Sequence, residues 1–146
     1  MRLAITALLL VALLALVGLL AGCGDSGPTD RQQIERALLT YYTAFGNGDT
    51  GGACHELAKD TKAALEKAGS GKDCTEILEE ALKRPDYASI AAKLDKARVT
   101  KITIAGDKAS AVVLVLGVKD NGALGARTTV PLLKEGGAWK IVGAPQ

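Results

Sequence analysis

Three cysteines and a single histidine are the side chains of this 146-residue chain with the most reactive chemistry to offer. Cys54 and His55 are adjacent, and Cys74 follows further along. A zinc-type centre on Cys54, His55 and Cys74 would need ligands at regular short spacings and a fourth donor, and the sequence supplies neither. No metal and no cofactor is therefore expected. His55 has no acidic or nucleophilic partner at a diagnostic spacing, so it reads as a rim or surface histidine rather than a catalytic one. Cys23 differs from both other cysteines. It sits between Gly22 and Gly24 at the edge of an apolar run, with no packed surface in which a core thiol would be buried.

The residues before Cys23 explain its place. Arg2 supplies a thin positive start, Leu3 to Leu20 form an apolar segment, and Ala21-Gly22 are small. Leu20-Ala21-Gly22-Cys23 resembles the lipobox of bacterial lipoproteins. That resemblance implies a signal peptide over 1–22, cleaved before Cys23, and a diacylglyceryl thioether with its acyl chains (palmitate among them) on Cys23. Two acyl chains anchor a protein stably where one does not. The apolar segment is also long enough for a retained transmembrane helix, which is the alternative. Either way the remainder lies outside the cytoplasm, on the extracytoplasmic side of the cell membrane.

With Cys23 carrying lipid, Cys54 and Cys74 remain as a pair in an oxidising compartment. A bridge between them would close a loop of about 20 residues and stabilise by roughly 3 kcal/mol. Residues 23–29 form the lipidated cysteine and a short tether, Gly24-Asp25-Ser26-Gly27-Pro28, that keeps the domain of residues 30–146 close to the bilayer. The formal charge of +2 falls to +1 without Arg2. No basic cluster or aromatic stacking platform is visible, so nucleic acid is not an expected partner.

The elements that must position these residues follow from period and punctuation. Thr29 with Gln32 makes a capping box for a first helix, in which Ile34, Ala37, Leu38, Tyr41 and Phe45 share a stripe. Gly46 to Gly48 stop it, and Asp49 or Thr50 caps a second helix expected over about 52–68, with Cys54 on its inner face. A third helix begins near Asp73 to Thr75 and ends at Pro85, which opens a short fourth. The pattern then becomes β-branched. Val99 to Ile104 is a strand with Thr100, Ile102 and Ile104 on one face. Gly106-Asp107 is a hairpin turn. Ala109 to Val118, Arg127 to Lys134 and Ala138 to Val142 are further strands, Pro131 marking an edge or a bulge. Helices followed by an antiparallel meander make an α+β fold.

Tyr41-Tyr42-Thr43-Ala44-Phe45-Gly46-Asn47-Gly48-Asp49 resembles the end of the first helix in the nuclear transport factor 2-like (NTF2-like) superfamily, which includes the cystatin-like and SnoaL-like proteins. Lys134-Glu135-Gly136-Gly137-Ala138-Trp139-Lys140-Ile141 is similar to that superfamily's closing hairpin, and Gly106-Asp107-Lys108-Ala109 to its middle one. Together with the cysteine pair, the whole resembles small exported lipoproteins of actinobacterial type. The resemblance implies a cone: N-terminal helices packed on a curved four-stranded antiparallel sheet, with a pocket at the open end. Tyr41, Tyr42, Lys101, Thr103, Arg127 and Thr129 are the residues that could put polar atoms into it, Tyr41 from the core and Tyr42 from the periphery.

The superfamily's enzymes place Asp, His or Tyr inside the cone, yet these strands carry no Asp, Glu or His, and acid–base chemistry needs such a group. Asp49 reads as a helix cap and Trp139 as a core plug. The expected function is a non-enzymatic binding or interaction module of the cell envelope, held to the membrane through Cys23. Its partner would be an envelope protein, a small apolar ligand, or a second copy bound through the sheet as a homodimer. The alternative is a small-molecule enzyme of the dehydratase or isomerase type using the cone. Fold alone does not choose between them.

Overall fold

A computed structural model describes residues 28–120 and 123–143. The leader, Cys23 and its lipobox lie outside the described residues, as does the question of a spanning helix over Leu3–Leu20. Among the described residues no helix is long and apolar enough to cross a membrane.

The first helix, α1 (Asp30–Gly46), starts where the capping chemistry dictates: Thr29 accepts the Gln32 N–H, and the Gln32 side chain accepts the Thr29 N–H. Its inward stripe is Ile34, Ala37, Leu38, Tyr41, Tyr42, Ala44 and Phe45. Asp49 then caps α2 (Thr50–Glu56), its carboxylate accepting the Gly52 N–H at 2.9 Å.

The single helix expected over 52–68 is two. Leu57 turns extended and bridges Ile141 in parallel, and the Ala58 N–H donates to the Ile141 carbonyl at 2.8 Å before α3 (Lys59–Ala68) begins. A strand edge has taken backbone groups that a continuous helix would have satisfied internally. Asp73 and Glu76 form a second capping box at the head of α4 (Cys74–Lys83), and Pro85 opens α5 (Pro85–Ala91) at its first position. A turn of 3-10 helix over Leu94–Lys96 leads into the sheet.

The sheet is an antiparallel meander in the order β1 (Ala97–Ala105), β2 (Lys108–Asp120), β3 (Ala123–Glu135), β4 (Ala138–Ile141). Its α+β layout, helices on a four-stranded sheet, is the one the sequence implies. The register slips between Val99 and Lys101. Thr100 bulges out, its hydroxyl donating to the Val112 carbonyl. Val99 therefore packs against the core and Thr100 does not share the inner face with Ile102. Pro131 lies inside the sheet, paired with Ser110 of β2. Its carbonyl accepts the Val142 N–H, just past the end of the β4 ladder. A strand residue aims its N–H and C=O to the same side, so the missing donor falls where pairing is running out.

Burial alternates along β2 and the second half of β3, while β1 is buried only at Ala97 and Ile102 and leaves Ile104 exposed near its end. Ile102, Ala109, Ala111, Val113, Val115, Val130, Leu132, Trp139 and Ile141 face the helices and join Ile34, Leu38, Tyr41 and Phe45 in one core. Their neighbours in sequence face the other way, onto a sheet surface that no helix covers among the described residues. Helices α1 and α2 lie on the sheet, and α4 is pinned beneath them by a disulfide joining Cys54 to Cys74, with a Cα–Cα distance of 6.1 Å. Both cysteines are buried, so the bridge belongs to the core.

Candidate functional site

The helix-facing side of the sheet is where a pocket would form, and aromatic and aliphatic side chains fill it. Tyr41 lies edge-on to Tyr42, with ring centroids 5.3 Å apart, and stacks parallel to Phe45 at 6.3 Å. Tyr42 is not peripheral as its sequence position suggests: it is 5% exposed. Helix α1 turns two adjacent residues inward because it meets both the sheet and the second helical layer. The Tyr42 hydroxyl has no hydrogen-bond partner among the described residues. Burial, helped by the nearby Tyr87 phenol, pushes the Tyr41 hydroxyl up to about 12. Burial also raises that of Tyr42, with the Tyr41 phenol adding to it. Both phenols therefore stay protonated at neutral pH and can donate a hydrogen bond, not abstract a proton.

Apart from these phenols, the buried polar side chains are Thr50 and Thr61. Thr61 ties α3 to β4, donating to the Ile141 carbonyl at 3.4 Å and accepting the Gly143 N–H at 2.9 Å. Among the described residues no carboxylate or imidazole is buried in this interior, and none group with cysteine as a metal centre.

The other four residues expected to line a pocket stand elsewhere. Lys101 and Thr129 both pair with Val112 from opposite sides, Thr103 pairs with Ser110, and Arg127 with Leu114. This register puts Lys101, Thr103, Arg127 and Thr129 on the open face of the sheet, exposed, with the whole sheet between them and the tyrosines. They do not converge with Tyr41 and Tyr42 on a common cavity. Two open depressions, of about 410 and 420 Å³, lie on the solvent side of α1 around Leu39 and Thr40.

His55 is 76% exposed in its side chain, as a surface histidine should be, but it has an acidic partner after all. Its Nδ1 lies 3.0 Å from Glu56 Oε1, and its carbonyl accepts the Lys140 ammonium at 2.8 Å.

The best-connected polar group was not singled out by sequence. Asp30, in the first turn of α1, accepts both the Lys134 ammonium at 2.7 Å and the Trp139 indole N–H at 3.0 Å through the same oxygen. These two donors, Lys134 first, hold its carboxyl below the usual carboxylate range. Lys134 also lies over the Trp139 ring at 5.7 Å. The cluster fastens the head of α1 to the β3–β4 hairpin. Trp139 is 2% exposed and is the plug its place in the closing hairpin implies. Nothing in the spacing of Asp30, Lys134 and Trp139 announces the contact, because it joins the two ends of the domain.

No protein-family model and no curated protein matches the chain. Among solved structures it is similar to an NTF2-like protein from Campylobacter jejuni, with 20% sequence identity and a TM-score of 0.48, over 71% of this chain and 92% of that one. It is also similar to an NTF-2 like protein of unknown function from Shewanella oneidensis MR-1, with 17% identity and a TM-score of 0.47, over 77% of this chain and 94% of that one.

Proposed function

We propose that this chain is a lipid-anchored extracytoplasmic module built on an NTF2-like scaffold, and that it works by binding rather than by catalysis. The observation that carries the non-enzymatic half is the interior. The face of the sheet that would hold a substrate is packed with Ile, Leu, Val and aromatic rings, and among the described residues its buried titratable groups are two phenols whose protons burial holds in place. A dehydratase or isomerase needs a base within reach of the substrate proton, and the carboxylate at the edge of this face, Asp30, is engaged by Lys134 and Trp139. The anchoring half is supported by the lipobox resemblance at Leu20–Cys23 and by the Cys54–Cys74 bridge, which leaves Cys23 unpaired in a compartment that favours disulfides. The partner is an envelope protein or a small apolar ligand.

Cells fed a clickable fatty acid should label the wild-type protein and not Cys23→Ser, which should accumulate uncleaved or leave the membrane fraction. Equal labelling of both would sink the anchor. One observation favours the enzymatic alternative: the unpaired Tyr42 hydroxyl is a donor held in reserve. If the alternative holds, Tyr42→Phe abolishes function in a complemented deletion strain without loss of protein. Under the binding reading that variant keeps function.

A further inference from the structure

The chain's modest net charge hides a separation. Residues 30–96, the helical part, carry ten Lys and Arg against twelve Asp and Glu, a net −2. Residues 97–146 carry seven against three, a net +4. The register then concentrates the excess on one side. Arg98 and Arg127 flank Leu114 across the sheet, Lys101 lies beside Val112, and Lys108 stands at the start of β2 on the same face. All four cations are exposed, and none has an ion-pair partner among the described residues. The acids of the described strands stand at strand ends: Glu135 at the hairpin end, where its carboxylate accepts the Lys59 N–H, and Asp120 at the opposite end of β2, paired with Ala123 and beyond all four cations. The stems of Val112, Leu114 and Leu133 are half-buried between the cations. With strands about 4.8 Å apart and about 3.3 Å per residue, the four charges span roughly 10 by 20 Å.

We propose that this open sheet face is a basic platform that lies against an anionic lipid surface. An array of unpaired cations spread along three strands, rather than converging on one point, complements a plane of mobile phosphate headgroups better than a discrete ligand. Each lysine or arginine near such a surface contributes about 1 kcal/mol, roughly a fivefold gain in occupancy. Chain length supplies the encounter. Pro28 lies five steps along the chain from Cys23, a reach of about 18 Å at most. The chain enters the domain at the hairpin end of the sheet, where Asp30 meets Lys134 and the Lys134 N–H donates to the Asp107 carbonyl in the neighbouring turn. Lys108 follows that turn, so the platform starts next to the tether. A second copy docked through the same face would set cations against cations, which argues against the sheet-mediated homodimer. The proposal rests on the lipid at Cys23 for its location and on the sheet's own charges for its chemistry.

The full-length protein, purified from membranes with detergent, would be reconstituted into vesicles of phosphatidylcholine alone or mixed with phosphatidylglycerol. A membrane-impermeant amine reagent then reads each lysine by mass spectrometry. Labelling of Lys101 and Lys108 should slow about fivefold on the anionic vesicles relative to the neutral ones, while Lys67 and Lys83 in the helical layer are unchanged. High salt should erase the difference, and so should the pair Arg98→Glu and Arg127→Glu, which leaves both reporters in place. Equal labelling on the two lipids overturns the proposal. Protection that appears on neutral vesicles and grows with protein density overturns it in favour of a second copy. The same spectra show whether Cys23 carries acyl chains. If it does not, the anchor fails alone, and the labelling on added anionic vesicles still decides the platform.

Discussion

Asp30 is the residue on which the two ends of the domain meet. Removing its carboxylate strands the Trp139 N–H in a buried setting and leaves Lys134 without its partner. Asp30→Ala is expected to lower the melting temperature. The loss should depend on pH with a definite sign. A carboxyl whose pKa is depressed by folding contributes stability above its unfolded value, and that contribution disappears as pH falls through the folded value. The gap between wild type and Asp30→Ala should therefore be full at neutral pH and close in acid. A gap independent of pH would mean that the charge is irrelevant. Tyr42 should behave in the opposite way to most core residues. Its hydroxyl is desolvated without compensation, so Tyr42→Phe is expected to be neutral or to stabilise by up to about 1 kcal/mol in urea unfolding. A loss above about 1 kcal/mol would show that the hydroxyl has a partner. Neither residue's role was legible in the sequence. A helical stripe says that α1 has an inner face, but how wide that face is depends on how many layers close over it.

At the scale of elements, local chemistry spoke clearly and distant pairing did not. The caps at Thr29 and Asp49, the start of α4 near Asp73 and the turn at Gly106-Asp107 were readable because each is set by residues within four positions. The break at Leu57 was not, because its cause is Ile141, far along the chain. The strand alternation was readable, yet Lys101, Thr103, Arg127 and Thr129 were expected inside a cone and lie on the open face of the sheet. Period two separates the faces, and the apolar residues choose the buried one. Two element-scale predictions follow from the packing of the helices. Replacing both Cys54 and Cys74 by Ala should cost about 2–4 kcal/mol, read as a shift of the urea midpoint. An unchanged midpoint would mean that α4 is held by its apolar contacts alone. Gly46 closes α1 against α5, and a Cβ there would stand 3.0 Å from the Ala91 carbonyl oxygen and 3.3 Å from Leu94 Cβ. Gly46→Val should therefore destabilise by about 1–3 kcal/mol, because the neighbour is backbone and cannot step aside.

For the molecule as a whole, one core joins all four strands to the helices, and no described element packs apart from it. Thermal unfolding with the disulfide intact is therefore expected to be a single transition, with near- and far-ultraviolet circular dichroism superimposed. An early loss of helix signal would show that α3 to α5 form a separate cooperative unit. The charge separation lies on the same scale. It is invisible in the net charge, because the acids of the helical part cancel the cations of the sheet. It appears once the strands fix which side chains stand together.

The plug of the closing hairpin has a practical consequence. Trp139 is the chain's sole indole, buried, with its N–H held by a carboxylate and an ammonium over its ring. Its emission is thus a single-site signal from the point where the first helix is latched to the last strand. A red shift would report that latch opening, and a lipid-borne quencher would report how near it sits to the bilayer, with no dye or label introduced.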